Sequence, residues 1–198
     1  MLNIFQQASH AALPKATHDE AAREEFTKSF KGFIQSTLLP GLTPIYNDQV
    51  KPAFIKEHGR EPADRRDIRS AMVKNLYFQH YASANRIAQE ILWESVNVSI
   101  ERQLPELLET AKQLSAASAA KLDIPEGFVP PRYITALDIH CMPGGYTSEV
   151  AEQDITAGAL YDRGVYLYAM GYMGPNNDDM GRSVCNYLRR NKPDFKPL

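Results

Sequence analysis

The sequence lacks most features that would mark a specialised class of protein. Cysteine is nearly absent: Cys141 and Cys185 stand in no CxxC spacing. They are too few for a disulfide scaffold or a thiolate zinc site and read as two reduced thiols of a cytoplasmic protein. No stretch approaches the roughly 18 consecutive apolar residues that span a bilayer. Met1 to Pro14 carries no lysine or arginine, so it does not read as a secretory signal. The formal net charge is −2, which gives no electrostatic attraction to nucleic acid or an anionic membrane. No HxxxH or ExxH occurs, which removes the paired helical ligands of di-metal bundles. There is no GxGxxG, no phosphate loop, no internal repeat and no low-complexity tract.

What remains is a chain of 198 residues, 43% hydrophobic and 23% charged. That is enough for a core in one domain or one domain with a helical extension. Thr17 and Glu20 have capping-box spacing and open a helix. Phe26, Phe30, Phe33, Ile34 and Leu38 then form its apolar face, and Pro40-Gly41 is expected to end it. Thr43 and Pro44 start a second helix, which Pro52 should kink or split. Gly59 lies in a connection from Glu57 to Pro62. The longest periodic run extends from about Asp64 to Leu114, with Val73, Leu76, Tyr77, His80, Ala84, Ile87, Ala88, Ile91 and Val98 as its stripe. Pro105 begins a new helix within that run, and Ser115 to Ala120 continues it weakly or frays. Three prolines and a glycine between Asp123 and Pro131 make a linker. Beyond it, Ile134, Leu137, Ile139 and Cys141 alternate imperfectly until Pro143-Gly144-Gly145 breaks the pattern. Asp154 caps a helix with Ile155, Leu160, Val165, Leu167 and Met170. A last helix starts near Asn177 and ends at Arg189-Arg190, where positive charge suits the carbonyl end. The sequence therefore predicts a mostly-α helical bundle with a short strand or extended segment near residues 133–142. Its expected parts are a helical region over 1–122, a linker over 123–132, and an extended segment with C-terminal helices over 133–198.

His80 sits on the helical stripe without a partner for a metal or haem and reads as a hydrogen-bonded core histidine. Glu90 and Glu94 are one turn apart, but Arg86 lies one turn before Glu90, which reads as a solvated charged face. Asp138-Ile139-His140-Cys141 is where an acid, an imidazole and a thiol gather. In an extended segment His140 and Cys141 would point to opposite faces, which argues against a Cys–His dyad, whereas Asp138 and His140 would share a face. Gly144-Gly145-Tyr146 follows, and glycines allow close approach of backbone to a ligand. Tyr161, Tyr166, Tyr168 and Tyr172 crowd the next helix as an aromatic surface suited to packing or an interface.

Residues Ala136 to Arg190 resemble a segment of bacterial class I S-adenosylmethionine-dependent methyltransferases. The residues carrying the likeness are Ala136-Leu137-Asp138-Ile139-His140-Cys141-Met142-Pro143-Gly144-Gly145-Tyr146, Ala157-Gly158-Ala159-Leu160-Tyr161-Asp162-Arg163-Gly164, and Met180-Gly181. The resemblance implies a helical region placed before a Rossmann-like domain, with Lys196-Pro197-Leu198 standing where the cofactor-binding strand would begin. It also implies an accessory region that covers the active site and shapes the substrate pocket. His140 and Asp138 are the expected catalytic pair, with Asp138 orienting His140 and His140 acting as hydrogen-bond partner or base. Gly144, Gly145, Tyr146, Tyr161 and Arg163 are the expected substrate-binding residues. No acidic, glycine-rich strand-turn lies within the chain, so no complete active site is expected here, nor S-adenosylmethionine bound by this chain alone. A downstream methyltransferase domain or a second copy is the expected partner. The alternative is a non-enzymatic interaction or oligomerisation module with the helix from Tyr161 to Tyr172 as its interface.

Overall fold

The structure is a computed structural model and describes residues 6–118, 123–136, 138, 140–151 and 154–195. It is mostly helical, and among the described residues there is no strand. The chain forms two compact units, residues 25–91 and residues 1–24 with 92–198. The 123–132 stretch therefore falls inside the second of these.

Helix α1 (His18–Phe33) opens on the expected capping box. The Thr17 amide donates to Glu20 Oε2 at 2.7 Å and the Glu20 amide to Thr17 Oγ1 at 3.4 Å. The buried face of α1 is not the phenylalanine face, however. Glu20, Glu24, Thr27 and Lys31 are buried one above another, leading to Ile34, while Phe26 and Phe33 are exposed. Hydrophobicity predicts the wrong face because two of the buried groups, Glu20 and Glu24, meet arginines, and paired charges tolerate burial.

Within the unit of residues 25–91, Pro40-Gly41 does not end the helix. Helical winding continues through a π stretch (Ile34–Leu38), α2 (Leu39–Ile45), a second π stretch (Tyr46–Val50) and α3 (Lys51–His58). Each π stretch lies just before a proline, Pro40 or Pro52. A proline lacks the amide proton and crowds the carbonyl four residues back. A wider turn relieves both problems, so the kink expected at Pro52 becomes a change of winding. Gly41 has a packing role: a Cβ there would lie 2.0 Å from the Tyr77 hydroxyl oxygen, which donates to the Leu38 carbonyl at 3.0 Å. Gly59, at φ 67°, closes α3 in the left-handed conformation. Asp64 caps α4 (Arg65–Met72) through the Arg66 and Asp67 amides. Asn75 caps α5 (Leu76–Arg102), so the long periodic run is divided there. His80 is exposed rather than in the core, because the buried positions of α5 fall on other residues, among them Ala88, Leu92, Trp93, Ser95, Val96, Ser99 and Ile100. Arg86 and Glu90 form the expected surface pair at 2.5 Å.

The other unit holds the hydrophobic cluster that carries the site. Leu92, Trp93, Val96 and Ile100 of α5 pack with Leu107 of α6 (Leu104–Ala117), with Met142, and with Ala159, Leu160, Tyr166 and Leu167 of α8 (Thr156–Tyr168). Pro105 sits in the first turn of α6, where its missing amide costs nothing. The end of the weak-helix tract, Ala119 and Ala120, lies outside the described residues. A one-turn helix α7 (Arg132–Thr135) occupies the start of the expected strand. Asp138 then accepts two backbone amides and turns the chain, so the alternating pattern is not an extended run. Its Leu137 and Ile139 lie outside the described residues. Asp154 accepts from the Val150 amide at 2.8 Å and the Thr156 amide at 2.7 Å, opening α8 as expected. Helix α9 (Asp179–Asn191) ends on Arg189 and Arg190. Lys196, Pro197 and Leu198, where the resemblance would start a strand, lie outside the described residues.

The N-terminal segment is tied into this unit by charge. Arg102 forks onto Glu20, Nε to Oε1 at 2.8 Å and Nη2 to Oε2 at 2.6 Å, the two-pronged geometry that suits a guanidinium and a carboxylate. The Arg102 guanidinium first, and the Thr17 amide second, hold the Glu20 carboxyl at about 2, down from an ordinary 4.5. A depressed carboxyl contributes stability above the unfolded pKa and loses it as pH falls toward the folded one. Stability should therefore decline between about pH 5 and about pH 2. Glu20→Gln should be less stable at neutral pH and should converge on the parent near pH 2. Urea midpoints across that range check this, and parallel profiles for the two proteins would contradict it.

Candidate functional site

Asp138 builds the site. Its Oδ1 accepts from the His140 amide at 2.8 Å and its Oδ2 from the Met142 amide at 2.6 Å. The loop is thereby clamped around one carboxylate, in the manner by which aspartates organise turns. Cys141, between those two amides, takes φ 59°. This is a left-handed conformation, costly for a residue with a Cβ. Met142 enters the core and Cys141 packs against it. His140 turns outward, about half exposed. Imidazole and thiol thus part company, as alternate placement implied, although the backbone is a turn and not a strand.

Asp138 orients His140 through the backbone. Its Oδ1 is 3.7 Å from Nδ1, too far for a hydrogen bond. The group that holds the ring is the Tyr146 hydroxyl, 2.5 Å from His140 Nδ1, with the two rings edge to face at 6.0 Å. Partial burial, then the nearby Asp138 charge, raises the Tyr146 pKa above 10.0. The phenol therefore keeps its proton, and it can donate to Nδ1 or accept from it according to the tautomer of the ring. Tyr161 of α8 completes the cluster, edge to face with Tyr146 at 5.7 Å. From behind, the Trp93 indole N–H donates to the His140 carbonyl at 2.5 Å. Trp93 can sit there because Gly164 lacks a side chain. A Cβ on Gly164 would lie 2.1 Å from Cζ3 of the indole.

The expected site residues divide into three groups. Asp138, His140, Tyr146 and Tyr161 come together. Gly144 and Gly145 line an adjacent cavity of about 260 Å³, with Ile100, Leu160, Glu101 and Asp154 among its walls. Arg163 is turned elsewhere. Its Nη2 pairs with buried Glu24 and its Nη1 donates to Gln7 Oε1 at 3.0 Å. Neighbouring Asp162 accepts from Gln7 Nε2 at 2.6 Å and from Asn177 Nδ2 at 3.1 Å, and lies 3.0 Å from His10 Nε2. This network fastens the N-terminal segment to α8.

Two supporting residues, Trp93 and Gly164, were not among the expected site residues. The signal was a glycine in mid-helix, which costs about 1 kcal/mol against alanine and calls for a packing reason. The cluster offers an imidazole, a phenol pair and an aromatic wall, a surface able to hydrogen-bond and stack on a ligand. The Cys141 thiol packs toward the core, so it is not placed as a nucleophile. Among the described residues no three His, Cys, Asp or Glu side chains gather as a metal site, and no helix is long and apolar enough to cross a membrane. Compared with family models, curated proteins and solved structures, the chain matches none.

Proposed function

We propose that this chain is an accessory region of an S-adenosylmethionine-dependent methyltransferase, not catalytic alone, presenting His140, Tyr146 and Tyr161 to the methyl acceptor. The observation that supports this reading is the half-exposed His140 ring, held by the Tyr146 hydroxyl with Tyr161 beside it. An imidazole so held can position an acceptor's oxygen or nitrogen, and where its outward Nε2 carries no proton it can take up the one the acceptor loses. The described residues do not fit the cofactor itself. They contain no strand leading into a glycine-rich turn and helix, the arrangement that holds a nucleotide in such folds. Gly144-Gly145 belongs instead to a cavity with carboxylates in its wall. The cofactor would come from a domain following Leu198.

The test uses the polypeptide that joins this chain to whatever the reading frame encodes beyond Leu198. There, His140→Ala should lower methyl transfer about 100-fold or more with little change in unfolding free energy. Tyr146→Phe should give a smaller loss, because the ring then loses the hydroxyl that holds it. The chain alone should show no saturable S-adenosylmethionine binding by calorimetry. Unchanged turnover per folded His140→Ala molecule, or a frame with no cofactor-binding segment, would overturn the reading.

A second reading, a helical interaction module, is favoured by one observation. Tyr161, Tyr168 and Tyr172 are all exposed, which is aromatic surface of the kind interfaces use.

A further inference from the structure

The cavity beside the His140 loop has a one-sided wall. Its volume is about 260 Å³, and Ile100, Leu104, Ala157 and Leu160 form its apolar part. Glu101 and Asp154 also line it, and no lysine, arginine, histidine or aromatic ring does. Side-chain donors in the wall are committed to these acids. Asn97 Nδ2 donates to Glu101 Oε1 at 2.6 Å, and the Thr156 hydroxyl donates to Asp154 Oδ1. Burial opposes the Asp154 charge, but the Thr156 hydroxyl and the Val150 and Thr156 amides outweigh it and hold the carboxyl below its ordinary value. Asp154 is therefore an anion at neutral pH. Both carboxylates keep lone pairs that these bonds leave unused, since two oxygens offer about four acceptor sites.

We propose that this cavity is a binding site for a small primary amine in its protonated form. The ammonium donates to Glu101 and Asp154 while the hydrocarbon part lies against Ile100, Leu104 and Leu160. An ammonium brings three donors and no acceptor, the complement of what the wall offers. Other occupants fit less well. A hard metal cation takes about six oxygen ligands or more and gains nothing from an aliphatic wall. A quaternary ammonium ion has no N–H for the carboxylates and is recognised by aromatic faces, which this wall lacks. A carboxylate or phosphate would meet like charge. Benzene fills an apolar cavity of about 150 Å³, so about 260 Å³ takes a ring together with an aminomethyl group. The cavity lies wholly within the unit that carries the His140 cluster, yet the inference stands without the methyltransferase reading.

Benzylamine is the probe, followed by two-dimensional NMR of the whole chain at neutral pH and without cofactor. Its dissociation constant should be on the order of 1 mM, as suits a ligand of about eight non-hydrogen atoms. The amide signals of Gly144 and Gly145 should move as it saturates. Benzyl alcohol, nearly the same shape without the charge, should bind at least about tenfold more weakly, and so should benzyltrimethylammonium. Glu101→Gln should weaken benzylamine at least about fivefold and leave benzyl alcohol unchanged. Asp154→Asn should do the same, and because asparagine caps a helix as well as aspartate does, α8 is kept. Benzyl alcohol binding as tightly as benzylamine would make the cavity merely apolar and overturn the proposal. So would an absence of saturation by about 20 mM, roughly twenty times that constant. Unmoved Gly144 and Gly145 signals, or an affinity that both charge variants leave unchanged, would overturn it equally.

Discussion

Glu24→Ala should cost about 3–5 kcal/mol, the price of stranding a buried charge. Glu24 is 2% exposed and its partner Arg163 19%. Removing the carboxylate leaves a guanidinium held in place by Gln7 Oε1 and unable to reach full hydration. A domain with a total stability of about 5–15 kcal/mol would be left close to unfolding. Replacing both partners by methionine should recover much of the loss, because the desolvation of both ions disappears with them. Urea denaturation of the single and double variants checks this. A loss below about 1 kcal/mol for Glu24→Ala would mean that the pair behaves as a solvated surface bridge.

Gly164→Ala and Gly158→Ala should differ in sign, although both glycines lie in α8. At Gly158 a Cβ meets nothing within 4 Å. Alanine there should stabilise by up to about 1 kcal/mol through helix propensity. At Gly164 the same methyl would meet indole atoms at 2.1, 2.8 and 2.9 Å. The indole is buried and its N–H is committed to the His140 carbonyl, so it cannot step aside without giving up that bond. Overpacking of this kind costs about 1–3 kcal/mol. Trp93 emission should move to longer wavelength as the ring is displaced, and the His140–Tyr146 contact should loosen with it. Equal stabilisation by the two alanines would show that the indole yields freely and does not brace the site.

The helix starts were legible because caps are local chemistry. Thr17 with Glu20, and Asp154 before α8, satisfy amides within four residues of themselves. The polar buried face of α1 was not legible, since Glu24 finds Arg163 across 139 positions and no periodicity carries that information. For the same reason Arg163 read as a group free to bind a ligand. The alternation at Ile134, Leu137, Ile139 and Cys141 suggested a strand, but one aspartate accepting two amides outweighs a weak alternating pattern. The grouping of Asp138, His140 and Tyr146 was readable because all three lie in one short loop. Tyr161 and Trp93 join them only through the packing of α8 and α5.

The two π stretches before Pro40 and Pro52 act as a phase correction. Each amounts to one extra residue wound into the helix, which turns everything after it by about 100° relative to an uninterrupted α-helix. Ile34, Val50 and Phe54 can therefore share an interior only through a count of residues that no single period of about 3.6 describes. A deletion of one residue between Ile34 and Leu38 would restore ordinary winding and at the same stroke rotate Val50 and Phe54 off their buried side. In this part of the chain length itself is constrained. A homologous chain should tolerate substitution among Gln35, Ser36 and Thr37 far more readily than the loss of any one of them.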